Sequence, residues 1–397
     1  MQRILFLTPQ LPYPPHSGGT FKSWKLVEYL SKRYRLTIGT LLKGHDSKNL
    51  NEFTNRIKLE KLYTQEINIP RTIQSLISSY ICHLPLIIYR TYSERFRRSI
   101  YGAIHSADIV FLDHCLMSCY IPNDYVGRVI LHEHNAEFIL WQRAGRFQKN
   151  IFKKLLIYRE AERIKRYEKE ICMRSNVILA APNDIASLRS IEIPGEKFYE
   201  TLHLGDENLL EQPNLEFFET TKSLLFVGTL TWESNIDCLL WFIENVWNTL
   251  KKMNPDLVFT IVGKDPDKRL QKTIQGRNGL TLAGFVDNLE DCYRHARVFV
   301  APLRFGSGIK VKIINAMYRG LPISTTPIGT EGLIVHDMLH MAIADNSQKM
   351  INDIHILLND KNKWELLRDQ SRKLALQAYQ WDAVLKNVER AIDQCLM

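Results

Sequence analysis

The hydrophobic pattern of the chain alternates between short apolar runs and longer amphipathic segments. Segments with helical spacing lie between most of the runs, a pattern of repeated strand–helix–strand units that is typical of parallel sheets. Residues 137–174 are predicted to form one long basic helix, and residues 41–100 are helical and basic. The runs that predict strands are 3–7, 36–40, 108–112, 128–131, 177–180, 224–227, 258–262, 280–284, 298–300 and 323–326.

An acidic, turn-rich segment at 206–221 divides this pattern into two halves of similar size. We therefore predict two doubly wound α/β domains, 1–205 and 206–380. A ligand is expected in a cleft between them, at the carboxyl ends of the strands. The last helix, 381–397, is expected to pack back on the first domain.

Composition limits the class of protein. The chain has 397 residues, of which 45% are hydrophobic and 24% charged, as in soluble globular proteins. No apolar run is long enough to span a membrane, and residues 1–9 have too short an apolar core for a signal peptide. The seven cysteines include no CxxC pair, which favours free thiols in a reducing compartment. We therefore expect a cytoplasmic protein.

Positive charge is concentrated in the first domain. Residues 1–200 contain 30 Lys and Arg against 19 Asp and Glu, whereas the rest contains 22 against 24. A basic half could meet nucleic acid, an anionic bilayer or an anionic small substrate, but no nucleic-acid-binding motif is present. Residues 143–154 lack acidic side chains and include Ile151 and Phe152. One interpretation is a peripheral contact with the inner face of the membrane, and an ordinary solvated helix is the other.

The most informative stretch is 296–333, where a strand, a glycine loop and a helix follow one another. The loop 306–308 breaks the chain, and Ile309 lies on the apolar face of the predicted helix. Lys310 and Lys312 fall in its first turn, where cations oppose the helix dipole. Glycines and two lysines at a helix N-terminus predict an anion site, with phosphate as the first candidate. The alternative is a turn that merely needs glycines.

Two further features follow predicted strands of the first domain. Gly18 and Gly19 stand at a helix N-terminus, where a phosphate could approach the backbone. His132 and His134 could suggest a metal, but no third ligand occurs at a recognisable spacing, and structural histidines are the alternative. In the second domain, residues 264–267 mimic a DxD metal motif and are better explained as a turn.

Several short motifs occur in a fixed order along the chain. Those of the second half are Phe226-Val227-Gly228, Ile261-Val262-Gly263, Ala283-Gly284-Phe285-Val286, Gly306-Ser307-Gly308-Ile309-Lys310-Val311-Lys312, Asn315-Ala316-Met317, Gly320-Leu321-Pro322-Ile323-Ser324-Thr325-Thr326 and Gly329-Thr330-Glu331-Gly332-Leu333. Those of the first half are Pro14-Pro15-His16-Ser17-Gly18-Gly19 and His134-Asn135. Over nearly the whole chain, this order resembles family 4 of the retaining glycosyltransferases, whose GT-B fold has two Rossmann-like domains.

The resemblance implies transfer of a hexosyl-type sugar from a nucleotide-sugar to an acceptor hydroxyl, with retention and with no cofactor or essential metal. Helix N-termini and lysines can stabilise the leaving diphosphate without a cation. The acceptor is expected to be a carbohydrate or lipid-linked, in surface polysaccharide or glycolipid synthesis. The catalytic residues implied are His134, Lys310 and Lys312. The donor-binding residues implied are Gly18, Gly19, Gly228, Phe285, Val286, Ser307, Gly308, Ile309, Asn315 and Glu331.

The sequence departs from the family at four positions. Ser307 and Asn315 stand where the family has two glutamates spaced E-x7-E, and Thr229 and Asn235 stand where it usually has Arg and Lys. An amide can still hydrogen-bond a ribose, whereas serine is shorter and uncharged. Two other functions therefore stay open. One is a catalytically silent partner subunit, which the missing glutamates favour. The other is a nucleotide-sugar 2-epimerase, which needs further carboxylates.

Overall fold

The structure is a computed structural model that describes residues 1–15, 18–44, 46–148, 150–306 and 308–397. It divides into two compact units. Unit 1 comprises Met1–His203 and Asp382–Met397, and unit 2 comprises Leu204–Trp381. Each unit is built on one parallel sheet with helices on both faces. Among the described helices, none is long and apolar enough to cross a membrane.

Unit 1 has a seven-stranded sheet in which every pairing is parallel. Its strands are β1 (Arg3–Thr8), β2 (Arg35–Leu42), β3 (Lys61–Glu66), β4 (Ile109–Asp113), β5 (Val129–His132), β6 (Val177–Ala180) and β7 (Phe198–Glu200). Its first helices are α1 (Gly18–Arg33), α2 (Leu50–Arg56), α3 (Ile73–Ile81), α4 (Leu86–Tyr89), α5 (Glu94–Ser106), α6 (Glu137–Phe147), α7 (Ile151–Arg174) and α8 (Pro182–Arg189). The strand order is β3-β2-β1-β4-β5-β6-β7. It reverses between β1 and β4, the point where sheets of this type bind ligands.

Unit 2 has a six-stranded parallel sheet of order β10-β9-β8-β11-β12-β13, which reverses between β8 and β11. Its strands are β8 (Ser223–Val227), β9 (Val258–Val262), β10 (Leu280–Gly284), β11 (Val298–Ala301), β12 (Ile323–Thr325) and β13 (Ala342–Ile343). The remaining helices of the chain are α9 (Glu233–Phe242), α10 (Asn248–Met253), α11 (Lys268–Ile274), α12 (Glu290–His295), α13 (Val311–Arg319), α14 (Ser347–Asn359), α15 (Lys361–Ala378) and α16 (Trp381–Leu396).

The central strands of unit 1 are buried on both faces, which explains why they are continuous apolar runs. Leu5 and Leu7 of β1 pack on one side of the sheet, and Ile4 and Phe6 pack on the other. The second cluster also contains Val388, Ala391, Ile392 and Cys395 of α16. One face of the first sheet is therefore covered by residues from both ends of the chain.

The predicted α/β architecture with two doubly wound parallel sheets is confirmed. Strands β3, β7 and β13 were not predicted from the sequence, because β3 is a largely polar edge strand and the others have three and two residues. The single helix predicted for 137–174 is wrong. The segment forms α6 and α7, and Asn150 caps α7 by accepting the Lys153 N–H at 3.0 Å.

Candidate functional site

Three neighbouring strands of unit 2 run into glycines at their carboxyl ends. The glycines are Gly228 after β8, Gly263 after β9 and Gly284 at the end of β10. A Cβ on Gly263 would lie 2.0 Å from the Gly228 carbonyl oxygen. The Gly263 N–H also donates to the Gly284 carbonyl at 2.8 Å. These positions contribute backbone and no side chain to the edge where a ligand is expected.

Lys312 of α13 lies against this glycine edge. A Cβ on Gly228 would come within 2.9 Å of the Lys312 ammonium. The ammonium donates to Asn235 Oδ1 at 2.6 Å and lies 4.3 Å from the centre of the Phe226 ring. Burial lowers the pKa of Lys312 to about 8, and the charge of Lys310 adds to that effect. Lys312 is therefore a partly buried cation that loses its charge at mildly alkaline pH.

Lys310 occupies the N-cap of α13, so the helix begins after it. The prediction that Ile309 belongs to this helix is wrong, because α13 starts at Val311. The Lys310 ammonium donates to the Gly308 carbonyl and lies 3.8 Å from the Glu331 carboxylate. Both lysines thus have acceptors within unit 2, which offset their unfavourable place at the positive end of a helix.

The two positions that replace the family's glutamates differ in what can be said of them. Ser307 lies outside the described residues. Asn315 Oδ1 accepts the Asp206 N–H at 2.9 Å and would lie only 1.7 Å from a Cβ on Gly205. The side-chain oxygen of Asn315 is therefore occupied in fixing the first residues of unit 2.

Phe285 and Val286 follow the last of the three glycine-ended strands. The Phe285 ring is about half exposed, and the Lys264 ammonium lies 4.7 Å from its centre. The segment 264–267 is a turn, as predicted, and Asp267 caps α11 by accepting the Arg269 N–H at 2.8 Å. Its carboxylate is thus engaged in structure.

Unit 1 has a buried polar cluster centred on Asp113, at the point where its strand order reverses. Asp113 Oδ1 accepts hydrogen bonds from His132 Nδ1 at 2.8 Å and His134 Nε2 at 2.9 Å. Oδ2 accepts from the Thr8 hydroxyl at 2.9 Å and the Ser23 hydroxyl at 2.5 Å. Burial alone would raise the pKa of Asp113, but the two histidines hold it well below its ordinary value. Asp113 is therefore a fully hydrogen-bonded carboxylate.

His134 presents its other nitrogen to the first helix. Because Nε2 donates to Asp113, Nδ1 carries the lone pair, and it would lie 3.3 Å from a Cβ on Gly19. Burial lowers the pKa of His134, which keeps the ring neutral at neutral pH. The structure thus brings His134 beside the Gly18–Gly19 start of α1.

Lys22 and His203 complete this cluster. The Lys22 ammonium donates to Thr201 Oγ1 and to the Leu202 carbonyl, at 2.5 and 2.6 Å, and burial lowers its pKa. The His203 ring lies 4.9 Å from that of His134. These two residues and Asp113 were not predicted from the sequence. Only Asp113 left a signal, as the polar residue that ends an apolar strand.

Two groups of described residues lie close enough together to share a metal ion. They are Asp113, His132 and His134, and His114, Cys115 and Glu133. Asp113 is the third ligand that the sequence analysis did not find for the two histidines. In the first group the ligand atoms already hydrogen-bond to one another, and the charge of the nearby Lys22 disfavours a cation.

The second group belongs to a set of buried carboxylates in unit 1. Among the described residues, neither oxygen of Glu133 has a hydrogen-bond partner. Burial raises the pKa of Glu133 to about 8, which favours the protonated form of its carboxyl. Glu168 instead caps α6 by accepting the N–H groups of Glu137 at 2.7 Å and Phe138 at 2.8 Å.

Comparison with known proteins shows which of them this chain is similar to. Residues 221–360 match the family model of the glycosyl transferases group 1. A Klebsiella pneumoniae protein described as an uncharacterized 44.6 kDa protein in the cps region is 23% identical over 372 residues. The match covers 91% of this chain and 92% of that protein.

Solved structures share the fold over the whole chain. Anabaena HepE in complex with UDP and glucose superposes with a TM-score of 0.70 at 14% identity, over 99% of this chain and 100% of that one. S. aureus TarM, in a complex containing UDP, gives 0.70 at 12% identity over 98% and 99%. Sucrose-phosphate synthase from Thermosynechococcus elongatus gives 0.68 at 15% identity over 99% of each chain. The family match of residues 221–360 and the GT-B fold confirm that this chain resembles the group 1 glycosyltransferases.

Proposed function

We propose that the chain transfers a sugar from a nucleoside-diphosphate sugar to an acceptor hydroxyl, with retention at the anomeric carbon. One observation carries the proposal: Lys310 and Lys312 both stand at the start of α13, within the segment 221–360 that matches the group 1 family. Lys310 at the N-cap has no side-chain oxygen to accept a helix N–H, so no side chain at that position caps α13. An anionic diphosphate suits such a helix start.

The leaving diphosphate gains negative charge as the sugar departs. Lys310, Lys312 and the backbone at Gly308 and Ile309 would stabilise that charge, and one such group is typically worth about 10²–10³ in rate. This stabilisation needs no metal, so we expect turnover to survive treatment with EDTA. Phe285 and Val286 would line the base, and Glu331 would hold Lys310 in place.

In unit 1, His134 would contact the transferred sugar. Its neutral ring offers an acceptor nitrogen for a sugar hydroxyl, and the side-chain-free Gly18 and Gly19 leave room beside it. Asp113 would act as a positioning residue, because it touches the ring and not the substrate.

The acceptor is proposed to be a carbohydrate or a lipid-linked molecule in surface polysaccharide or glycolipid synthesis. The Klebsiella pneumoniae protein from a cps region supports this class. The complexes of HepE and TarM contain UDP, so UDP-sugars are the first donors to test.

The experiment is a thermal-shift and nucleotide-release assay of the purified chain against UDP-, GDP- and ADP-sugars. A donor at about 100 times its Kd should stabilise the fold by about 2.7 kcal/mol. Lys310→Ala and Lys312→Met should lose this shift, while Lys268→Met, an exposed lysine of the same unit, should keep it. No shift with any nucleotide-sugar would remove the proposal. A released sugar with inverted configuration at the anomeric carbon would contradict the proposed retention.

One observation favours a second function, a partner subunit that binds the donor without turnover. Asn315 Oδ1 already accepts the Asp206 N–H, so the amide has fewer hydrogen-bonding positions left for a ribose than a free carboxylate would have. Stabilisation by a donor with no nucleotide release, even with acceptors present, would favour this second function.

A further inference from the structure

Helices α6 and α7 form a hairpin, and the end of α7 next to the turn carries large apolar side chains that are exposed and not buried in a core. Ile151, Phe152 and Leu155 are 68%, 81% and 69% exposed. No residue of α7 before Glu160 is buried, so about 13 Å of helix precede its first buried side chain. The hairpin itself is closely packed, because a Cβ on Gly145 would lie 3.1 Å from the Tyr158 ring.

Helix α3 shows the same imbalance beside this hairpin. Ile73, Ile77 and Ile81 recur every fourth residue on one face and are mostly exposed, while Ser75 and Ser79 on the opposite face are buried. For an amphipathic helix packed on a soluble core, the reverse arrangement is expected. Arg163 of α7 donates to the Ser79 hydroxyl at 3.3 Å and to its carbonyl at 3.0 Å, so the serine face lies against α7.

The two sequence segments that carry these apolar side chains contain charged side chains of one sign only. Residues 67–93 and 138–159, which contain α3 and the hairpin end, include no Asp or Glu. The second segment contains six Lys and Arg, among them Arg146, Lys153 and Lys154. Two segments of 27 and 22 residues without a carboxylate stand out in a chain that has 43 acidic residues. The charge complements an anionic surface.

We propose that these side chains form a docking patch for an anionic lipid bilayer. The patch is defined as Ile73, Ile77, Ile81, Ile151, Phe152 and Leu155. Its apolar side chains would enter the boundary between headgroups and acyl chains, and the surrounding lysines and arginines would contact lipid phosphates. A protein partner fits less well, because lysine is depleted in protein–protein interfaces. One consequence of the docking patch rests on the proposed function: if the chain is a glycosyltransferase, its acceptor is attached to a membrane lipid.

The test is flotation of the full chain with vesicles of phosphatidylcholine, with and without phosphatidylglycerol. The wild-type chain should bind only the anionic vesicles, and raising salt from about 0.1 M to about 1 M should weaken binding. Changing Ile151, Phe152 and Leu155 together to Ser should lower the partition coefficient at least about tenfold. The matched control is Phe218→Ser, which alters a side chain of unit 2 that is 82% exposed.

The substituted residues are exposed, so the triple variant should keep the wild-type melting temperature and its stabilisation by nucleotide-sugars. Absence of binding to anionic vesicles, or equal binding by the triple variant, would overturn the proposal. So would loss of a dimer in the triple variant by analytical ultracentrifugation, because the patch would then join two copies. Patch-dependent vesicle binding without any nucleotide-sugar stabilisation would leave the docking patch standing and refute the proposed function.

Discussion

Asp113 accepts a 2.9 Å hydrogen bond from His134, and this single contact decides which nitrogen of the imidazole is left for a ligand. The carboxylate is an acceptor only, so the proton of the neutral ring stays on Nε2. The lone pair of Nδ1 is then directed towards Gly19. The same oxygen of Asp113 holds His132, which packs against His134 with ring centres 4.6 Å apart.

Replacing Asp113 by Asn should leave the fold intact and disturb the tautomer of His134. The amide NH2 can donate to the ring, which would move the ring proton towards Nδ1. We expect kcat for donor turnover to fall about 10²-fold or more, with a smaller change in KM. Nitrogen NMR of the histidine rings should show the change in tautomer. Asp124→Asn, on an exposed turn of the same unit, is the control, and an unchanged tautomer in Asp113→Asn would contradict the positioning role.

Gly19→Ala tests the closeness of α1 and His134. The new methyl would lie 3.3 Å from Nδ1, so it would crowd the ring and cover its lone pair. Donor turnover should fall about tenfold or more, because small displacements of positioned groups are costly. Gly102→Ala is the matched control, since its methyl would meet no atom within 4 Å and alanine favours a helix. Equal activity of both variants would show that this nitrogen has no part in turnover.

Lys312 predicts a pH dependence of donor binding. Its pKa, lowered to about 8 by burial, means that the ammonium is charged below that pH and neutral above it. Because a bound diphosphate favours the charged form, donor affinity should fall by up to about tenfold per pH unit above about 8. Calorimetric titrations between neutral and alkaline pH measure this directly.

Two variants test whether Lys312, and not another titratable group, causes this pH dependence of donor binding. Lys312→Arg keeps its charge throughout this range and should flatten the profile, because arginine does not deprotonate. Lys312→Met should bind weakly at every pH. A wild-type profile that stays flat through the same range would mean that Lys312 does not meet the diphosphate.

Glu133 predicts a pH dependence of stability in unit 1. Its folded-state pKa of about 8 exceeds the ordinary value of 4.5, so the folded chain retains a proton that the unfolded chain releases. The free energy of unfolding should therefore fall as pH rises from about 4.5 to about 8, by at most about 1.4 kcal/mol per pH unit from this group. Glu133→Gln should reduce that slope in urea denaturation. Glu162→Gln, which alters a half-exposed side chain of α7, should leave it unchanged.

The sequence predicts the sheets well and the polar clusters poorly, for a physical reason. Buried parallel strands such as β1 are unbroken apolar runs, whereas the edge strand β3 lies within the segment 41–100 that was predicted to be helical, because its residues are largely polar. Lys310 and Lys312 could be predicted because the start of a helix is indicated by residues that are close together in sequence. Lys22 could not, because a lysine in a helix is normally solvated and only the distant Thr201 shows that this one is buried. The hydrogen bond between Asn315 and Asp206 could not be predicted either, because the two residues are far apart in sequence.

The return of α16 to the first sheet sets the order in which the chain can fold during synthesis. Unit 2 is one uninterrupted segment, Leu204–Trp381, and can fold once it has left the ribosome. Unit 1 must wait, because Ile4 and Phe6 near its beginning share a core with Val388 and Ile392 near its end. Until then that face of the first sheet lacks the part of its cover that α16 supplies, so the part of the chain made first is the part completed last.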